Sequence, residues 1–273
     1  MQEKSKRSMP PVGWAVLVLV LVGAVVAWFL LDPGFQSEPS KANVASDMPQ
    51  DEFERRVRDY LLANPEVILE AMQRLEERRR TADAGEAAVV LGERSEEVFH
   101  DPASPVGGNP EGDVTLVEFF DYNCPYCRRV APVMHEAETA DPQLRIVYKE
   151  FPILGPGSHF AAKAALAADR QGLYIPFHKA LMEIDGAADE TAVLAIAAEV
   201  GLDLERLEAD MQDPAIAEAI ERNLQLALAL RINGTPSFVV GKEIVRGATD
   251  LGTLQELIRQ ARAGEAAAPV QQD

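Results

Sequence analysis

Val114-Thr-Leu-Val-Glu-Phe-Phe-Asp-Tyr-Asn-Cys-Pro-Tyr-Cys127 changes character halfway along. Its first seven residues are β-branched and aromatic around Glu118, the composition of a strand. Cys124-Pro-Tyr-Cys127 then opens a run with helical periodicity. Side chains at i and i+3 of a first helical turn share a face. A disulfide needs Cα atoms about 4.4–6.8 Å apart, so this pair can close and open a bond. The first cysteine falls where unpaired backbone N–H groups and the positive helix end stabilise a thiolate. Thiols so placed ionise more readily than a free cysteine. The thiolate is the attacking species in disulfide exchange. Cys124 is therefore the expected nucleophile, facing solvent, and Cys127, a turn deeper, the expected resolving thiol.

These two are the only cysteines among 273 residues, which excludes a multi-disulfide scaffold. Zinc sites take four ligands, from two such pairs or from one pair and two histidines. No second pair exists, and His100, His135, His159 and His178 are scattered, none three or four positions from another. No resident metal or other cofactor is expected. A bridge closing so small a loop would constrain the unfolded chain little, so a purely structural disulfide is a poor account. Reversible thiol–disulfide chemistry fits better. The alternative is a copper-binding or copper-stress protein, because paired thiolates also hold soft Cu(I). Met134 is the nearest additional soft ligand, and no Met-rich run accompanies it.

More than a hundred residues later, Asn233-Gly-Thr-Pro-Ser-Phe-Val-Val240 places Pro236 at the start of a strand. Proline lacks a donor and suits such a position. A cis Thr235–Pro236 bond would leave the Thr235 backbone to pair with an extended substrate. Pro125 and Tyr126, between the cysteines, are candidates for substrate contact, with plain surface as the alternative for Tyr126. Glu118 interrupts an otherwise apolar strand and faces either the core or solvent. His178 reads as helix packing.

Val117-Glu-Phe-Phe-Asp-Tyr-Asn-Cys-Pro-Tyr-Cys127 together with Thr235-Pro236 resembles the thioredoxin-fold family, specifically its DsbA-like branch. Pro132, five residues after Cys127, resembles that family's helix-kinking proline. Lys149-Glu-Phe-Pro-Ile-Leu154 and Phe177-His178 fit its usual wording. The resemblance covers residues 97–263, with residues 158–232 placed like the DsbA-type helical insertion. It implies a periplasmic thiol–disulfide oxidoreductase with a cis Thr235–Pro236 bond beside Cys124. It also implies that Glu118 is a buried acid passing protons to or from Cys127. A carboxyl in apolar surroundings has the raised pKa that such a role requires.

Upstream lies a different kind of sequence. Residues 12–31 are twenty apolar positions without a charge, enough for a helix of ~30 Å across a bilayer. Lys4, Lys6 and Arg7 precede them and Asp32 follows, which keeps residues 1–11 in the cytoplasm and exports the rest. A cleaved signal peptide is the competing reading, with a weak site at Asn43-Val-Ala45. Residues 32–50 read as a Pro- and Ser-rich linker. Residues 51–96 read as a helical stalk. Phe53, Val57, Tyr60 and Leu61 form one stripe, Asn64-Pro65 starts a second helix, the basic run Arg78–Arg80 closes it, and residues 81–97 form a separate, weaker helical run. The stalk resembles the N-terminal segment of the ScsC-like, copper-sensitivity-suppressor subgroup. Short amphipathic helices cannot bury their stripes alone, so it is either a spacer folded back on its own domain or a homo-oligomerisation segment. Residues 264–273 read as a disordered tail.

The expected architecture is thus α/β: a thioredoxin fold with an inserted helical domain, behind a stalk and a transmembrane anchor in the bacterial inner membrane. The expected activity is disulfide exchange with exported proteins through a mixed disulfide, in the oxidase or the isomerase direction, with a membrane redox partner. With 26 Lys+Arg against 44 Asp+Glu the net charge is −18, a poor match for nucleic-acid phosphates, so no nucleic acid is expected.

Overall fold

The computed structural model describes residues 48–266. They fall in two compact units that meet in sequence between Gln73 and Arg74. Helix α1 (Gln50–Ala63) ends at Asn64, whose side-chain amide donates to the Tyr60 carbonyl at 2.8 Å. Pro65 then leads into α2 (Glu66–Glu93). Helix α1 buries no side chain, and Phe53, Val57, Tyr60, Ile68, Leu69 and Met72 are exposed. Arg78–Arg80 do not close the second helix, which runs 28 residues without a break. Thr81-Ala-Asp-Ala-Gly-Glu-Ala-Ala88 contains no proline and is half alanine, the strongest helix former, so nothing stops the helix there. Among the described residues no helix is long and apolar enough to cross a membrane. The anchor expected at residues 12–31 lies outside the described residues, as does residues 267–273 of the expected tail.

After the short helix α3 (Ser95–Phe99), the second unit builds a five-stranded sheet. Its strands are β1 (Val106–Gly108), β2 (Val114–Phe120), β3 (Leu144–Glu150), β4 (Ser237–Val240) and β5 (Glu243–Arg246), in the order β1-β3-β2-β4-β5. Strands β2 and β3 are parallel, joined by the crossover helix α4 (Pro125–Ala140), while β4 runs antiparallel to β2. Strand β1 pairs antiparallel with β3, and its three residues, two of them glycines, are too short to show an alternating pattern in the sequence. Gly108 is required at its end: φ is +65°, and a Cβ there would meet the Leu144 carbonyl at 2.4 Å.

Between β3 and β4 the chain makes five helices: α5 (Pro156–Asp169), α6 (Tyr174–Met182), α7 (Glu190–Val200), α8 (Leu204–Asp210) and α9 (Pro214–Ala229). Asp189, Asp203 and Asp213 cap α7, α8 and α9 by accepting backbone N–H bonds. Helix α10 (Leu251–Ala266) closes the unit.

The pleat divides the strand side chains between two cores. Leu116 and Phe120 of β2 and Ile146 and Tyr148 of β3 join the larger cluster, with α4, α10 and the inserted helices. Val117 and Phe119 of β2 and Val147 of β3 join the smaller one, with Leu91, Val98, Leu226 and Leu230.

Lys149 projects into the smaller-core side of the sheet and is fully buried. Its ammonium donates to the Glu97 carbonyl (2.7 Å), Ser104 Oγ (2.8 Å) and Asp101 Oδ2 (3.3 Å). Burial lowers its pKa and Asp101 opposes that shift. Removing one partner of a buried pair leaves an uncompensated charge. Asp101→Ala should therefore lower unfolding free energy by about 3 kcal/mol, read from urea denaturation, and Asp101→Asn, which removes the same charge, should keep only part of that loss at bay through its amide oxygen.

Candidate active site

Cys124 is the N-cap of α4 with extended backbone (φ −81°, ψ 116°), and Pro125 fits the first helical position. The Cys124 N–H donates to the Asp121 carbonyl at 3.0 Å, and the Cys124 carbonyl accepts from Arg128 N at 3.2 Å. Both thiols are free. The Cys124 thiol donates to the Thr235 carbonyl at 3.3 Å, and the Thr235–Pro236 bond is cis. The structure thus brings Cys124, Cys127, Thr235 and Pro236 together at one end of the sheet. Cys124 was expected to face solvent. It is only 4% exposed, since the Thr235 segment lies against its sulfur. Tyr126 is 52% exposed and Pro125 is exposed beside it; the Arg129 guanidinium stands 5.2 Å from the Tyr126 ring centroid.

Cys127 is fully buried. Burial pushes its thiol pKa up, and the neighbouring Glu118 carboxyl pushes it further. Glu118 faces the larger core rather than solvent. It shares the β2 face of Leu116 and Phe120 and is 2% exposed. Its strand neighbours are Tyr148 on β3 and Phe238 on β4. Glu118 Oε1 is buried without a hydrogen-bond partner, and burial raises its pKa to about 8.

Several residues that hold the site were not singled out from the sequence. Asp121 Oδ2 accepts the Ile153 and Leu154 N–H groups at 2.8 and 2.9 Å, and Oδ1 accepts Asn123 N at 2.8 Å. It ties the cysteine loop to the segment carrying exposed Ile153 and Leu154 beside the site. Asn123 bonds Ser158 Oγ (3.1 Å) and the Ala188 N–H (2.8 Å), and Arg128 Nε donates to the Tyr122 carbonyl (2.8 Å). Glu150 Oε1 accepts the hydroxyls of Tyr174 (2.8 Å) and Tyr122 (3.1 Å), and Tyr122 also meets His178 Nδ1 at 3.1 Å. Burial lowers the His178 pKa to about 3, so the ring is neutral at physiological pH. The one sequence signal was Asp121 itself: an Asp just after a strand and shortly before a helix is an Asx-turn pattern. Among the described residues no group of three or more His, Cys, Asp or Glu is placed to hold a metal ion.

A dithiol at a helix N-terminus, set against a cis-proline segment on this sheet, defines a thioredoxin-type domain with an inserted helical block. The DSBA-like thioredoxin domain family matches residues 115–259, more than half of the chain, and the chain belongs to that family. The copper resistance protein ScsC N-terminal domain matches residues 50–82. A thioredoxin-like oxidoreductase from Silicibacter pomeroyi DSS-3 is 54% identical, with TM-score 0.61 over 62% of this chain and 97% of that one. A linker-deletion mutant of ScsC from Proteus mirabilis is 25% identical, with TM-score 0.62 over 80% of this chain and 99% of that one. The Na(+)/H(+) antiporter NhaA of Herminiimonas arsenicoxydans is 32% identical over 173 residues, 61% of this chain but 28% of the antiporter. The chain therefore spans little more than a quarter of that relative's length.

Glu118 has a measurable signature. Its pKa is higher folded than unfolded, so the folded state holds a proton that the unfolded state releases above the ordinary value of 4.5. Its contribution to stability is full below that value and is lost as pH rises toward about 8. Glu150, also raised by burial, acts in the same sense, so the readout is a difference. Unfolding free energy of wild type minus Glu118→Gln should fall between pH 5 and 8, by no more than about 5 kcal/mol. A flat difference curve from chemical denaturation would show that Glu118 keeps an ordinary pKa.

Proposed function

We propose that this chain is a thiol–disulfide oxidoreductase acting on exported proteins, with Cys124 as nucleophile and Cys127 as resolving thiol. The observation that carries this reading is the Cys124 thiol against the Thr235 carbonyl, with Cys127 and Glu118 buried beneath it. Residues 12–31 would anchor the chain in the inner membrane with the catalytic domain in the periplasm, where a membrane partner resets the pair.

The chemistry is two exchanges. Cys124 thiolate attacks a substrate disulfide, forms a mixed disulfide and expels one substrate thiolate. Cys127 then loses its proton to Glu118, and its sulfur bonds Cys124. The Cys124–substrate bond breaks, and the second substrate sulfur leaves as thiolate. Substrate gains two electrons and the pair becomes a disulfide. Run backwards, the same steps oxidise a substrate dithiol, with Glu118 returning the proton to Cys127. Thr235, Pro236, Pro125 and Tyr126 supply the surface on which the substrate sits, Thr235 through its backbone. The direction follows the potential of the pair against its partner: near −120 mV makes an oxidant, near −270 mV a reductant.

Insulin reduction and refolding of a scrambled disulfide substrate test the reading. Cys124→Ser should abolish both, about a hundredfold or more, while Cys127→Ser should accumulate a mixed disulfide seen by mass spectrometry. Full activity in Cys124→Ser would refute it.

The stalk is proposed to mediate self-association. The exposed apolar side chains of α1 and early α2, and the ScsC N-terminal domain match over residues 50–82, support this. Light scattering on the full chain should give an oligomer, and the double substitution Phe53→Glu and Met72→Glu should shift it to a monomer. An unchanged mass would exclude this face as the interface.

A further inference from the structure

The dithiol belongs to a strongly acidic chain, yet two arginines follow it directly, Arg128 and Arg129. They are used differently. Arg128 turns into the domain, where Nε donates to the Tyr122 carbonyl and Nη1 to the carbonyls of Ile184 and Gly186. Arg129 is exposed, and among the described residues its side chain makes no hydrogen bond or ion pair. Its guanidinium rests instead on the Tyr126 ring, 5.2 Å from the centroid.

Helix geometry explains that contact. Residues 126 and 129 are three apart and share a face of α4. Side chains on a helix lean toward its N-terminus, so the Arg129 guanidinium is carried back over the first turn, on the side of Cys124. The ring quadrupole of Tyr126 attracts the cation face-on without using its N–H donors. The stack therefore presents a free fork of donors beside the dithiol, the geometry that matches a carboxylate. The two acids that precede the dithiol do not compete for it. Glu118 and Asp121 are both buried, and Asp121 already accepts three backbone N–H groups. On the other flank of the cysteine loop the exposed side chains are Ile153 and Leu154, which carry no charge. A substrate joined to Cys124 runs past Pro125 and Tyr126, so the residue next to its cysteine meets the stack.

We propose that Arg129, seated on Tyr126, is a specificity determinant that favours substrates and redox partners with an Asp or Glu beside the reacting cysteine. The net charge of −18 repels such partners, and one free guanidinium reverses the sign where the bond is made. The proposal rests on the reading of Cys124 as the nucleophile and adds the class of substrate to it.

The test uses the full chain in its reduced form and the symmetric disulfides of three acetylated, amidated tripeptides: Ala-Cys-Asp, Ala-Cys-Asn and Ala-Cys-Lys. Cys124 thiolate attacks and one peptide leaves as thiolate. Cys127 then displaces the other, so one peptide disulfide is reduced as the pair is oxidised. Rapid acid quench and mass spectrometry give each rate at low ionic strength. A neighbouring charge alters a peptide's own thiol, so the readout is the ratio of two peptide rates in a variant against the same ratio in wild type. Arg129→Ala should lower the Asp-to-Asn ratio about threefold and raise the Lys-to-Asn ratio. Arg129→Glu should move both further, and Arg129→Lys, which keeps the charge without the fork, should fall between wild type and Arg129→Ala. Lys242→Ala removes an exposed positive charge beyond the end of β4 opposite Pro236 and should leave both ratios as in wild type. Ratios that Arg129→Ala leaves unchanged, or that Lys242→Ala shifts as much, would overturn the proposal alone. A wild-type chain that reduces none of the three peptides would overturn the oxidoreductase reading and the proposal with it.

Discussion

Cys124 and Thr235 lie 111 residues apart, and their contact exists because β4 pairs with β2 in one register, from Leu116 with Val240 to Phe119 with Ser237. That register places the Thr235–Pro236 segment off the end of β4, level with the turn from β2 into α4. A slip of one residue would turn Phe238 and Val240 out of the larger core and Val239 out of the smaller. Both cores therefore oppose it, and apolar burial at about 25 cal/mol per Å² is the energy that holds a donor–acceptor pair otherwise worth only about 1 kcal/mol. The hydrogen bond marks the site, whereas the packing of the sheet creates it.

The inserted helices have to return the chain to that register, and they also close over the cysteine loop. Alanines at 161, 162, 164, 165, 167 and 168 are all buried in α5, which lets neighbouring helices approach closely. Asn123 then spans from the loop to Ser158 on α5 and to Ala188 before α7, while Arg128 Nη1 reaches the Ile184 carbonyl at 3.3 Å. Asp121 clamps the segment after β3. The loop before Cys124 is thus fixed from three sides, which suits the nucleophile proposed there, whose geometry would have to persist while substrates come and go.

What the sequence disclosed and what it hid follow from the range of the interactions. The strand of β2, the helix opened by Cys124 and the proline at Pro236 are local patterns, readable from composition and spacing. The inward orientation of Glu118 was not readable, because a lone acid in an apolar run fits either face until strand pairing assigns one. Strand β1 escaped because Val106-Gly-Gly108 carries no alternation and is a strand only through β3. The length of α2 escaped because a basic triplet looks like a helix end, although alanine-rich sequence follows it. Asp121, Asn123 and Glu150 each bond partners 24 or more residues away, at separations that local patterns do not encode.

The two buried acids beneath the site show how environment separates roles for one chemical group. Both sit on the same face of the central strands, and burial raises the pKa of each. Glu150 meets two tyrosine hydroxyls at 2.8 and 3.1 Å, and its backbone carbonyl accepts from Asn223 at 3.2 Å. Its hydrogen bonds join β3, the cysteine loop, α6 and α9, so moving its proton would disturb a network that spans the domain. Glu118 carries no such network. Its free oxygen faces a cavity instead of a tyrosine, and its charge acts on the Cys127 thiol. A carboxyl whose protonation state can change without rearranging its neighbours suits proton transfer, and one locked between two phenols suits structure. The difference between the two carboxyls follows from partners alone, since burial is common to both.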